Sequence, residues 1–225
     1  YTAQLQEIDS YDNQIEALQQ QVDATFKELM QQASVLSEQR KIASLGLARQ
    51  LVEMIAPLGM PNTRFSVDFK TNSAPDADGI DEICFLFSAN KSGDLQPVAN
   101  TASGGEISRL MLCLKAMIAG ATALPAIIFD EVDTGVSGDI ANKMGDIMHE
   151  LGTKMQVMAI THLPQIASKG NAHYYVFKKE ENDRTITQIK QMDTEERVIE
   201  IARMLSGAAL TEASMANARD LLGVD

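Results

Sequence analysis

Two adjacent carboxylates, Asp130 and Glu131, close the apolar run Ala126-Ile127-Ile128-Phe129. An acid at the end of a buried strand can hold Mg²⁺, and a neighbouring group can activate or orient a water that attacks a phosphoryl group. A core strand followed by a solvated acidic loop is the alternative these six residues leave open. Upstream, Ser103-Gly104-Gly105-Glu106 opens a helical pattern. A serine hydroxyl, bare glycine N–H groups and a helix N-terminus together make a phosphate site. The same residues also read as a capping box between Ser103 and Glu106, but two glycines suit a first helical turn poorly unless the backbone must come close to something. Downstream, His162 follows the apolar run 156–160. An imidazole there could donate a hydrogen bond to a γ-phosphate oxygen or orient the attacking water. His149 and His173 lack such a setting, and no Cys or His spacing suits zinc.

These groups need elements to position them. The run 126–129, a helical pattern on Ile140, Met144, Ile147 and Leu151, and the run 156–160 predict a parallel strand–helix–strand unit. Both strand ends then lie on one sheet edge, where open α/β sheets place their ligands. Asp130, Glu131 and His162 meet at that edge. The first strand, apolar throughout, is predicted to be buried on both faces. Before it, Ile107, Leu110, Met111, Leu114 and Ile118 mark a helix running to about Gly120. Alternating runs at Phe65–Phe69 and Ile83–Phe87 predict an antiparallel pair with a turn from Asn72 to Gly79. After a short helix over 164–168, segments 174–178 and 185–191 read as a hairpin. A capped helix over 193–205 follows, then a last helix over 210–222.

The first 56 residues differ in kind. They are rich in Gln and Glu, hold no proline, and place Ile8, Ile15, Val22, Leu29 and Leu36 seven apart, with Tyr11, Leu18, Phe26 and Ala33 as companions. That spacing predicts a long amphipathic helix forming a coiled-coil strand, or else one lying on the globular part. Residues 1–56 and 57–225 are thus read as helix and α/β domain. The chain has 225 residues and a net charge of −12, which disfavours non-specific attraction to nucleic acid. No run of about 18 apolar residues spans a membrane. Cys84 and Cys113, each in an apolar run, read as reduced core thiols of a cytosolic protein. The start at Tyr1 without Met suggests a piece of a longer protein.

The order Ser-Gly-Gly-Glu, apolar strand with Asp-Glu, apolar strand with Thr161-His162 resembles the C-terminal half of an ABC-type ATPase head: signature motif, Walker B strand, D-loop and H-loop. Ala102 to Arg109, Phe129 to Gly138 and Thr161-His162-Leu163-Pro164-Gln165 are similar in wording to the RecN family of bacterial SMC-like DNA repair proteins. Segments 201–205 and 218–222 are similar as well. The resemblance implies an α/β head half, a parallel βαβ core with flanking helices and a β-hairpin, preceded by a coiled-coil helix. It implies ATP and Mg²⁺ as cofactors, with Asp130 holding Mg²⁺ through water, Glu131 as general base and His162 sensing the γ-phosphate. Ser103, Gly104, Gly105 and Glu106 would face ATP bound mainly by a second head. Ser137 lies in the D-loop, where many members carry an Asp. The implied partners are the N-terminal part of the same head, a second head and DNA, in the bacterial cytoplasm at the nucleoid. A phosphate loop GxxxxGK[ST] does not occur in these residues, so the chain alone is expected to be inactive. Another SMC-like or ABC-type head, or a non-enzymatic coiled-coil module, are the alternatives.

Overall fold

The computed structural model describes residues 2–100, 104–121, 124–130, 132–181, 184–207 and 209–224, with side chains left out at 2–10, 12, 120 and 121. The proline-free N-terminal stretch forms one helix, α1 (Thr2–Ile55), and Pro57 ends it in a 3₁₀ turn over Ala56–Leu58. Its apolar seam meets different surroundings along its length. Tyr11, Ile15, Leu18, Val22, Phe26 and Leu29 are exposed, whereas Ala33 is buried and Leu51 and Ile55 sit in the main core.

A hairpin of β1 (Arg64–Asp76) and β2 (Gly79–Ser88) packs beside α1, with Phe65 opposite Phe87 and Phe69 opposite Ile83. The short β3 (Gln96–Pro97) adds to β2. The turn expected over 72–79 is largely strand: β1 continues to Asp76 through a register shift between Thr71 and Asp76. The turn itself closes at Gly79, whose φ of 106° suits glycine alone. Residues 70–74 are exposed, so no burial pattern marked them as strand; Lys70 and Thr71 pair with Glu82 and Asp81, and pairing resumes at Asp76 opposite Gly79.

The central unit is α2 (Gly104–Ala121), β4 (Ala126–Asp130), α3 (Gly138–Gly152) and β5 (Gln156–Ile160). β4 and β5 are parallel, in register from Ala126 opposite Gln156 to Asp130 opposite Ile160. Leu110, Leu112 and Cys113 of α2, Phe129 of β4, and Ala141, Met144, Met148 and Leu151 of α3 join Leu51, Ile55, Phe65 and Phe87 in one core. Lys115 of α2 lies over the Phe129 ring at 5.5 Å, a cation–π contact that ties helix to strand.

Double burial of β4 does not hold. Phe129 is fully buried, but Ile128 is 54% exposed, and Met158 and Ile160 of β5 are 43% and 57% exposed. Successive strand residues face opposite ways, and the core covers the Phe129 side. Burial pushes the Cys113 thiol up to about 12, as suits a core thiol, while Cys84 is only half-buried on a strand whose neighbours Ile83 and Phe85 are exposed.

The C-terminal part runs α4 (Pro164–Ala167), β6 (Tyr174–Glu181), β7 (Arg184–Gln191), α5 (Thr194–Ser206) and α6 (Glu212–Leu222). β6 and β7 pair antiparallel from Tyr174 opposite Gln191 to Glu181 opposite Arg184. Asp193 and Glu196 form a capping box on α5, and Thr211 and Ser214 form one on α6. The two helices share a small core of Val198, Ile201, Ala202 and Ala218.

Candidate functional site

The in-register pairing of Asp130 with Ile160 puts Asp130 and the Thr161-His162 turn at the same edge of the β4–β5 sheet. The Asp130 carboxylate is exposed there. Glu131 and Ser103 lie outside the described residues. Gly104 opens α2, and a Cβ built on it would meet nothing within 4 Å. Gly105 is different: its Cβ would stand 3.1 Å from the Thr134 carbonyl oxygen and 3.4 Å from the Arg109 guanidinium. The close approach expected of the glycine pair is therefore made, at Gly105, by the loop behind β4 of the same chain, while Gly104 faces open space. Glu106 is half-buried in the first turn of α2. Ser137 is the exposed N-cap residue of α3 and makes no side-chain capping bond.

Sequence reasoning did not single out Asp133. Its side chain is fully buried, and Oδ2 accepts hydrogen bonds from the Thr161 hydroxyl and from the His162 backbone N–H at 3.3 Å. His162 Nδ1 stands 3.4 Å from the same oxygen, yet the His162 side chain is 67% exposed. Thr161 Oγ1 in turn accepts from the Leu163 N–H at 3.0 Å. Asp133 Oδ1 is buried with no hydrogen-bond partner among the described residues. Asp133 thus ties the loop after β4 to the turn after β5. The available signal was a third acid two positions beyond Glu131 and a hydroxyl beside His162, but their pairing depends on strand register.

The other two histidines stand apart from this edge. His149 Nδ1 is 2.9 Å from the Lys169 carbonyl oxygen. His173 is held below its ordinary value, first by burial and then by the Arg197 charge, with Glu200 pulling the other way. Among the described residues no group of three or more His, Cys, Asp and Glu could hold a metal ion. An exposed carboxylate at a strand end does fit Mg²⁺ of the kind that keeps most of its sites for water and phosphate oxygens. The open space at Gly104 likewise fits an approaching phosphate group.

No family model matches the chain. The DNA repair protein RecN of Vibrio cholerae serotype O1 is 36% identical over 220 residues, covering 97% of this chain and 40% of that protein. The DNA repair protein RecN of Halalkalibacterium halodurans is 35% identical over 223 residues, with the same coverage. Over nearly its whole length the chain is similar to RecN proteins. It spans about two-fifths of the length of these RecN relatives. Among solved structures, the Smc head domain with a coiled coil and joint from Pyrococcus yayanosii matches with a TM-score of 0.62 at 15% identity. That match covers 89% of this chain and 36% of the other. The fold of this RecN-like chain is therefore that of an Smc head domain, with the long N-terminal helix attached. No helix among the described residues is long and apolar enough to cross a membrane.

Proposed function

We propose that this chain is one wall of a composite ATP site in a RecN-like DNA repair ATPase. The observation that carries the reading is the single sheet edge shared by Asp130 and the Thr161-His162 turn, with the N-terminus of α2 abutting the intervening loop at Gly105 and Thr134. Asp130 holds Mg²⁺ through water, and Glu131 takes the proton of the attacking water. His162 meets the γ-phosphate side of the site. Ser103, Gly104, Gly105 and Glu106 offer a helix N-terminus to the γ-phosphate of a nucleotide held mainly by a second head, and Ser137 lines the loop between the two. Mg²⁺ held at Asp130 would supply positive charge to offset what develops on the transferred phosphoryl group. The N-terminal part of the head, with its phosphate loop, a second copy of the head and DNA are the partners of the longer protein, in the bacterial cytoplasm at the nucleoid.

The chain alone is then expected to hydrolyse no ATP. Adding in trans a head segment that carries GxxxxGK[ST], taken from a longer relative, restores Mg²⁺-dependent turnover, and Glu131→Gln or Ser103→Arg abolishes it. Robust turnover by the 225-residue chain alone, lost on Glu131→Gln, contradicts the composite site. Absence of activity when both parts are folded favours a second reading, a non-enzymatic module that pairs through α1, whose exposed seam of Ile15, Leu18, Val22 and Phe26 supports it.

A further inference from the structure

We infer that Asp133 is a positioning residue for His162: it fixes the imidazole as the Nδ1–H tautomer and leaves Nε2 bare on the open side of the ring. The inference rests on the proposed nucleotide site only for its use, not for its geometry. Oδ2 of Asp133 already receives two donors, the Thr161 hydroxyl and the His162 backbone N–H. The direction of the first is set locally, because Thr161 Oγ1 accepts from the Leu163 N–H and so turns its own proton toward Asp133. An oxygen facing two donors presents lone-pair density to the ring nitrogen 3.4 Å away. A bare Nδ1 would set lone pair against lone pair in a place where the carboxylate is fully buried and water cannot intervene. Nδ1 therefore carries the proton.

The neutral imidazole has one donor and one acceptor, so Nε2 is the acceptor, on a side chain otherwise open to solvent. A carboxylate that holds an imidazole in one tautomer is the role played by the buried acid of a Ser-His-Asp triad. Of the two uses open to His162, the neutral ring so held suits accepting a hydrogen bond from a water it orients, with proton removal left to Glu131; a phosphate oxygen would be met by the imidazolium form. The next residue along, Thr134, lies against Gly105, so the anchor of the ring and the N-terminus of α2 bear on one two-residue stretch.

The test is nitrogen-detected NMR of the ring in the uniformly ¹⁵N-labelled 225-residue chain, without nucleotide, at a pH where His162 is neutral, with its signals assigned by loss in His162→Gln. The expected result is a predominantly Nδ1–H ring in the wild type. Asp133→Asn should shift it to predominantly Nε2–H, the form free histidine prefers, while His149 and His173 keep their signals. Thr161→Val removes one donor but not the carboxylate, and should retain Nδ1–H. A wild-type ring that is predominantly Nε2–H overturns the inference without any variant, which decides the matter even where Asp133→Asn fails to fold. An unchanged tautomer in folded Asp133→Asn also overturns it, since a purely structural Asp133 alters stability and not the tautomer. Neither result depends on ATP hydrolysis, so loss of this inference and loss of the composite ATP site are separate outcomes.

Discussion

Gly104 and Gly105 are neighbours of one residue type under different constraints. Gly104 has open space where a side chain would go, so Gly104→Ala should leave stability unchanged or raise it by about 0.5 kcal/mol, because alanine is the better helix former. At Gly105 an added methyl would press on the Thr134 carbonyl at 3.1 Å, and Gly105→Ala should cost about 1–2 kcal/mol as the loop gives way. Urea denaturation midpoints of the two variants check the contrast, and equal midpoints would contradict it. His173 gives a second residue-level expectation. Its folded value is lowered from 6.5, chiefly by burial, so between that lowered value and about 6.5 the unfolded chain binds a proton that the folded chain does not. Stability contributed by the neutral ring is present above about 6.5 and is lost as pH falls through the window. Unfolding free energies in urea, followed from pH 7.5 downward, should decline in that range, and His173→Gln should flatten the decline.

At the scale of elements, one buried acid fastens the β1–β2 hairpin to α1. Asp81 has a fully buried side chain, accepts from the Ser37 hydroxyl at 2.7 Å, and faces Arg40 at 3.4 Å. Asp81→Ala should cost about 1–3 kcal/mol, since it strands the Ser37 hydroxyl, itself buried, and an arginine that is itself mostly covered. A double-mutant cycle with Arg40→Met separates the ion pair from the serine bond, and additivity would remove the ion pair from the account. The same scale shows how much of the fold was legible. The seven-residue repeat of α1, the turn chemistry before α5, and the two apolar runs of β4 and β5 announced their elements, because helix period, capping and strand composition are local. Residues 72–76 were not legible as strand. Apart from the half-buried Pro75 they are exposed, and the pairing of Asp76 with Gly79 that closes the hairpin is what carries β1 this far.

At the scale of the whole molecule, the apolar surfaces left uncovered among the described residues include the α1 seam from Tyr11 to Leu29 and, second, the β4–β5 face carrying Ile128, Met158 and Ile160. On the proposed reading, the N-terminal head segment covers the second surface. Such a segment binds the folded chain and not the unfolded one, so it should raise the thermal midpoint in step with its concentration. At 100 times its dissociation constant the stabilisation is about 2.7 kcal/mol. Substituting Ile128→Asp should weaken that rise while leaving the folded chain intact, because the residue is more than half exposed. A midpoint indifferent to the segment would show that this face has another use.

The residues alone determined the long helix, the parallel strand pair, the family likeness, and the arrival of Asp130 and His162 at one sheet edge. Each follows from periodicity, motif order, or the geometry of a strand–helix–strand unit. What the tertiary structure decided was which side of each element meets something. It buried Phe129 and exposed Ile128, because the core reaches one face of β4. It assigned the closeness at Gly105 to Thr134. It also joined Asp133 to Thr161 and His162 across 28 residues of chain, a pairing set by the register of two strands and the turn of two loops, neither of which is written in any short stretch.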